Sequence, residues 1–255
     1  MNPSNQRLIY RKNLDANTTS GLCNNYLQAN LITLPKQYAF EFLLFCQRNP
    51  KSCPLIDVLE AGNVTPTIAD ADIRTDIPKY RVYENGVFSK EVLDICDVWE
   101  DDFVSFLIGC SFTFEKALKR AGIRMLHQEQ NKVVPMFKTN IPCVKAGIFE
   151  GNMVVSMRAL KQEEVMIATK ITEQFKTSHG IPIHIGKPEE IGITNIHAPD
   201  YGESVIFDEK ERLPVFWPCG VTPQNVCLHA KPTIMMSHAP GHMLITDRKE
   251  EYNSF

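Results

Sequence analysis

Cys219, Ser237, His238, His242 and Asp247 place a thiol, a hydroxyl, two imidazoles and a carboxylate within one stretch, Pro214–Asp247. Such groups exchange protons near neutral pH or attack carbonyl carbon, so the stretch reads as part of an active site. Cys219 lies between an apolar run, Val215-Phe216-Trp217, and a Thr222-Pro223 pair that opens a helix. At a helix start, free N–H groups and the helix dipole favour an anion, which predicts a thiolate-prone cysteine and an oxyanion-binding turn at Gly220, Val221 and Thr222. Gly109-Cys110-Ser111 repeats this arrangement before the helical run Phe112–Arg120. His238 and His242 are four apart, but Pro240-Gly241 between them excludes a helical metal pair and predicts a tight bend instead.

Two arginines are candidates for binding a carboxylate. Arg158 interrupts an otherwise apolar strand pattern, MVVSMRAL, and requires an acidic partner or an anionic ligand. Arg74 and Asp76 alternate with Ile73, Thr75 and Ile77, a strand-like pattern with one polar face. The plainer expectation for Arg74, Asp76, Lys79 and Arg81 is a surface ion-pair network. His179 and His184 flank the Gly-Ile-Pro-Ile segment 180–183, and for His184 structural and binding roles weigh equally. Cys46, Cys96 and Cys227 sit on apolar faces and read as core, while His127, His197 and His229 read as exposed or structural.

The elements that must position these groups follow from the apolar pattern. Strands are expected near Met153–Leu160, Ile181–Ile185, Val215–Trp217, Thr233–Met236 and Met243–Thr246, while Tyr26–Leu34 reads as a strand or a short buried segment, Cys53–Leu59 as a short apolar segment and Pro135–Cys143 as extended. Helices are expected over Pro35–Arg48, Val98–Leu107, Phe112–Arg120 and Lys161–Phe175. Asn85-Gly86 marks a hairpin between Tyr80–Tyr83 and Val87–Ser89. Strand, helix and strand from Met153 to Ile185 form a βαβ-type unit, while the polar residues 1–20 are expected to be mobile until they meet the body of the protein. The fold class is therefore α/β: a mixed-sheet main domain, residues 1–125 plus 195–255, with a smaller inserted or intertwined α+β domain, residues 126–194.

Composition narrows the function. The 255 residues are 44% hydrophobic and 22% charged, with a formal charge of −3. That balance gives no electrostatic pull toward nucleic acid or an anionic membrane. Eight cysteines without a C-x-x-C pair argue against a zinc ribbon or redox motif. The polar start Met1–Asn13 lacks a signal-peptide pattern, and a reducing cytoplasm is the simplest setting. Neither phosphate-loop glycine motif is present, so no nucleotide cofactor is expected. The residues neither require nor forbid a divalent ion, and they leave homo-oligomerisation open.

The segments RTDIPKYRVY, FLIGCSFTFE, NIPC, VFWPCGVTPQ and SHAPGHM occur in this order. Together they resemble the D-glutamate cyclase family, over about Gly21–Asp247. The resemblance implies a two-part α/β architecture and a hydro-lyase that closes D-glutamate, or a related small acidic metabolite, to 5-oxo-D-proline with loss of water. For that chemistry the residues assign Arg74, Arg158 and His184 to substrate binding. Cys110-Ser111 and Gly220-Val221-Thr222, beside Cys219, fall on the oxyanion side, and His238, His242 or Asp76 shuttles the proton. Two other readings are a thiol-dependent amidase or lactam acyl-transferase using Cys219 or Cys110, and a non-catalytic binder of an acidic small molecule.

Overall fold

The structure, a computed structural model, describes residues 2–23 and 25–249. Residues 1, 24 and 250–255, part of the expected main segment, lie outside the described residues. In chain order the elements are α1 (Pro3–Arg11), β1 (Tyr26–Pro35), α2 (Lys36–Arg48), β2 (Leu55–Leu59), β3 (Tyr80–Glu84), β4 (Val87–Val92) and β5 (Phe103–Gly109). They continue with α3 (Phe112–Arg120), α4 (Leu126–Glu129), β6 (Met136–Pro142), β7 (Asn152–Leu160), α5 (Gln162–Thr172) and β8 (His184–Ile185). The chain closes with β9 (Leu213–Pro218), α6 (Thr222–Ala230), β10 (Ile234–His238) and β11 (Leu244–Lys249).

Two antiparallel sheets organise these elements. The first has seven strands in the order β2-β5-β1-β10-β3-β4, with β11 pairing β1 beside β10. The second has four, in the order β6-β7-β9-β8. Its third strand, β9, comes from beyond residue 194, so this sheet extends past the 126–194 segment. Both β7 and β8 run antiparallel to β9 and therefore parallel to each other. The βαβ pattern is real, but β9 separates its two strands.

The period-2 alternation of the strands decides what each face carries. On the first sheet, Ile32, Leu34, Tyr83, Phe106, Ile108 and Met235 pack under α2 and α6. The opposite face, with Leu31, Tyr80, Val82, Leu107 and Met236, is covered by the segments around Ala69–Ile77 and Ile95. On the second sheet, Leu160, Val215 and Trp217 pack against α3 and α5. The tips of both sheets meet in one apolar cluster containing Cys110, Phe112, Met136, Val154, Cys219, Val221 and Met243.

Two sequence expectations fail here, and the N-terminal segment orders by docking on the body of the protein. Val98–Leu107 is not a helix: Phe103–Gly109 is a strand between β1 and β2. Its two faces are both buried, so its apolar run loses the alternation that would identify a strand. Residues 3–11 form a helix capped by the Asn2 side chain, with Pro3 in its first turn. The polar residues there enter ion pairs: Arg7 donates to the Ile245 carbonyl and to both Asp247 oxygens. The Arg74–Asp76 segment is a set of turns, with the Asp72 side chain accepting from the Arg74 N–H and the Asp72 carbonyl from the Asp76 N–H.

Candidate active site

The two cysteine turns converge where the sheets meet. Each sits at a strand end that feeds a helix: β5 into α3 through Cys110-Ser111, and β9 into α6 through Cys219-Gly220-Val221. Each depends on a glycine. A Cβ at Gly109 would fall 1.6 Å from the Thr177 carbonyl oxygen, and one at Gly220 would fall 2.1 Å from Asn30 Nδ2. Both contacts are impossible, so glycine is what lets the neighbouring backbone and Asn30 close on the turns. Asn30, on β1, donates to the carbonyls of Ile108 and Gly109 at 3.2 and 2.7 Å. It thereby fixes one turn while packing against the other.

The thiols are protonated, contrary to the thiolate expectation. Burial pushes Cys219 up to about 11, against the Val221 N–H and the Arg158 charge that pull it down. Burial also pushes Cys110 far above its usual value, with the Phe112 N–H opposing. Both residues keep only 7% of their surface exposed, so desolvation outweighs the helix start. A thiol in that state is a proton donor rather than an attacking group. Thr222 is buried; its hydroxyl accepts from the Val154 N–H and donates to the Val154 carbonyl, which ties α6 to β7.

Arg158 has the acidic partner its strand position required. Its Nε donates to Glu115 Oε1 at 3.1 Å, its Nη1 to the Ser156 hydroxyl at 3.0 Å and its Nη2 to the Ser111 hydroxyl at 3.1 Å. The guanidinium also lies over the rings of Phe114 and Trp217. Gln128 donates to Glu115 Oε2 at 2.6 Å, and His127 Nε2 is 3.2 Å from Oε1. Burial would raise the Glu115 carboxyl, but the His127 and Arg158 charges hold it down at about 2. Arg158 therefore reaches the site through Ser111, as a brace between β7 and α3.

His238 and His242 do not stand at the mouth of the cleft. Gly241 takes the positive φ, +84°, that the predicted bend needs. His238, however, is buried at the end of β10, and its Nδ1 accepts from the Leu31 N–H at 3.1 Å. The same Nδ1 lies 3.3 Å from the Leu31 carbonyl and from Gln224 Nε2, and Gln224 donates to the His238 carbonyl. Burial lowers His238 to about 4, so it is neutral near pH 7. The two ring nitrogens of His242 face the carbonyls of Pro240 and Ala16, and burial lowers this residue also.

Three further candidates lie elsewhere. Asp76 is fully buried and takes both Nε and Nη2 of Arg11 at 2.7 and 2.6 Å. Arg74 pairs with Asp72 and lies over Trp99. His184 Nε2 is 2.9 Å from the Lys187 carbonyl, beside β9 at the far edge of the second sheet. None of these partners belongs to the junction, because local turns consume the charge that alternation seemed to expose.

A cleft of about 340 Å³ lies over the junction, lined by Arg81, Val133, Asp200, Tyr201, Glu203 and Pro240. Tyr201 and Val133 pack directly on the cluster holding Cys110 and Cys219. Tyr201 is set by a backbone bridge to Met136 on β6, and its hydroxyl is 3.4 Å from Asn225 Oδ1. Burial pushes its phenol up to about 12. Sequence reading missed Tyr201, Asp200 and Glu203, which lie in an irregular loop without periodicity. Among the described residues, no three His, Cys, Asp or Glu side chains gather as a metal site would require, and no helix is long and apolar enough to cross a membrane.

Comparison with known proteins now decides the family. The D-glutamate cyclase family model matches residues 104–247, which span both turns. The chain belongs to the D-glutamate cyclase family. A protein of Oceanobacillus iheyensis is 71% identical over 98% of this chain and 100% of its own length. The similar protein of Bacillus subtilis, YcsI, is 52% identical over 98% of both chains. Both carry the name "Putative hydro-lyase". A solved structure, that of a nitrogen repressor-like protein from Methanococcus jannaschii, overlays loosely, with TM-score 0.40 and 10% identity over 92% of this chain and 91% of that one.

Proposed function

We propose that the chain is a cofactor-independent lyase that closes D-glutamate, or a closely related acidic amino acid, to its five-membered lactam with loss of water. The observation that carries this reading is the meeting of two strand-to-helix turns, each bearing a protonated thiol at a helix start, behind one small cleft. Ring closure forms the N–Cδ bond and breaks a Cδ–O bond, whose electron pair leaves with oxygen. The ammonium loses two protons, which the cleft carboxylates Asp200 and Glu203 can accept, and the departing oxygen gains two, so the site relays protons and supplies no net acid. Neutral donors suit that task. Helix-start N–H groups hold the developing oxyanion, and the Cys219 thiol, the Cys110 thiol and the Tyr201 hydroxyl protonate the leaving oxygen. Ser111, fixed by Arg158, keeps one turn in register with the other.

The test is incubation of purified, chelator-treated protein with a panel of D- and L-amino acids, scored for loss of one water by mass. Turnover of D-glutamate supports the reading. A thioester trapped on Cys219 or Cys110, or inactivation by iodoacetamide that substrate prevents, would move the protein to the acyl-transfer class. Thermal stabilisation by an acidic metabolite without any turnover would make it a binder. Cys219→Ser is expected to fold and to keep activity within about tenfold, since a hydroxyl replaces a donor but not a nucleophile.

A further inference from the structure

We infer that the mouth of the cleft is a clamp for a zwitterion: Arg81 takes the α-carboxylate of an amino acid, and Asp200 with Glu203 takes its ammonium. The inference rests on the reading of the junction as the reacting end and assigns the residues that deliver substrate to it.

Arg81 lies on β3 opposite Ser237 of β10, and it lines the cleft with 30% of its side chain exposed. Its Nε donates to Glu91 at 3.1 Å, and its guanidinium lies over the Phe88 ring. Among the described residues its two terminal amino groups make no hydrogen bond, which leaves a planar fork matched to a carboxylate. Across the cleft, one oxygen of each acid is committed to the backbone. Asp200 Oδ2 accepts from the Lys138 N–H at 2.9 Å, and Glu203 Oε2 from the Val133 N–H at 3.0 Å. These bonds orient the side chains and leave Oδ1 and Oε1 to accept from an ammonium group.

The arrangement has a direction. The charged groups are at the mouth, and the inner wall, Tyr201 and Val133, packs on the apolar cluster that includes the two cysteines. An amino acid held by both α-substituents keeps its amine at these two carboxylates, and ring closure folds the side chain back so that Cδ meets that nitrogen. The cleft volume is at the lower end of the roughly 300–1,000 Å³ typical of ligand sites, which suits a short side chain. The clamp therefore selects for an intact α-amino acid, and the junction selects for what the side chain carries.

The experiment combines steady-state kinetics on D-glutamate with thermal shift using D-glutamate, glutarate and 4-aminobutyrate. Glutarate lacks the amine and 4-aminobutyrate lacks the α-carboxylate. Arg81→Met is expected to raise KM about 10- to 100-fold with kcat nearly unchanged, the signature of lost uniform binding. Arg81→Lys should recover part of that loss. Asp200→Asn and Glu203→Gln should each raise KM for D-glutamate, and neither glutarate nor 4-aminobutyrate should stabilise the wild-type protein. Glu91→Gln removes the protein partner of Arg81 without touching the fork, and it should leave KM within threefold. Turnover of D-glutamate with KM unchanged in Arg81→Met and in both acid variants overturns the clamp while leaving the proposed reaction standing. Wild-type stabilisation by another amino acid, lost in Arg81→Met, supports the clamp while D-glutamate fails as substrate. Stabilisation by glutarate equal to that by D-glutamate overturns it.

Discussion

Asp76 is wholly buried, but the arginine that holds it keeps 44% of its side chain in solvent. Glu115 is also buried, and its arginine, Arg158, is equally enclosed, with 2% exposed on each side. The first pair fastens the N-terminal helix α1 to the turns before β3. The second joins α3 to β7, and through Ser111 it reaches the cysteine turn at the meeting of the sheets. Enclosing both charges is costly, since each loses its hydration and the attraction compensates only when geometry is good. A half-exposed pair keeps water on one partner. The expensive arrangement stands where a turn must be held accurately, and the cheaper one stands where a terminus is pinned.

The largest effect is expected from Arg158→Met. It leaves Glu115 buried with only His127 and Gln128 as partners, which costs about 3–5 kcal/mol. For a chain of this length that lowers Tm by roughly 10 °C. Replacing both partners, as Arg158→Met with Glu115→Leu, should restore much of the stability but not the activity, because Ser111 is no longer braced. Calorimetry and turnover measured on both variants check this. Full activity in the stable double variant would reduce the brace to packing.

Acid should separate the enclosed Glu115 pair from the buried His238 by pH. Burial holds His238 at about 4, below its usual 6.5, so the folded protein binds that proton less readily than the unfolded chain. Its contribution is complete above pH 6.5 and is lost as pH falls toward 4. Glu115, held down at about 2, contributes above its usual 4.5 and loses that contribution between 4.5 and 2. Tm is therefore expected to fall in two overlapping steps, worth roughly a few kcal/mol together. The Arg158→Met, Glu115→Leu variant should keep the upper step and lose the lower one. An unchanged profile in that variant would place the acid sensitivity elsewhere.

How much of this was legible in the sequence follows from how local each signal is. Thr222-Pro223 announces a strand-to-helix turn within a few residues, whereas Gly109 announces only the helix start after it, since the strand before it reads as helix. Protonation of the two thiols was not readable, because it depends on burial by Val134, Met136 and Met243, distant in sequence. Arg158 announced that it needed an anion, but whether that was Glu115 or a ligand is a tertiary fact. Asp200, Tyr201 and Glu203 gave no signal, since an irregular loop has no period to read. Strand β5 was misread for the opposite reason: burial on both faces erased the alternation.

Arg11→Met is the intermediate case. Water reaches the exposed side of this pair, and Asp76 retains the Asp72 N–H and the Thr75 hydroxyl. The expected loss is about 1–2 kcal/mol with kinetics unchanged, since nothing in the pair touches the cleft. A change in KM would link α1 to the substrate site and blur the contrast with Arg158.

The smallest effect belongs to Arg74→Met. Sequence alternation made Arg74 a carboxylate anchor, but the chain turns at Asp72, whose carboxylate accepts two bonds from the guanidinium, at 3.0 and 2.8 Å. Both partners are partly exposed, so solvent screens the pair and its worth is about 0.2–1 kcal/mol. The Asp72 side chain keeps its bond to the Arg74 backbone N–H after substitution, so the turn survives. Methionine can still pack on Trp99 in place of the guanidinium. Tm should shift by no more than about 3 °C, and KM for an acidic amino acid should stay within twofold. A tenfold rise in KM with an unchanged Tm would return Arg74 to the binding site and displace Arg81 from the role assigned to it.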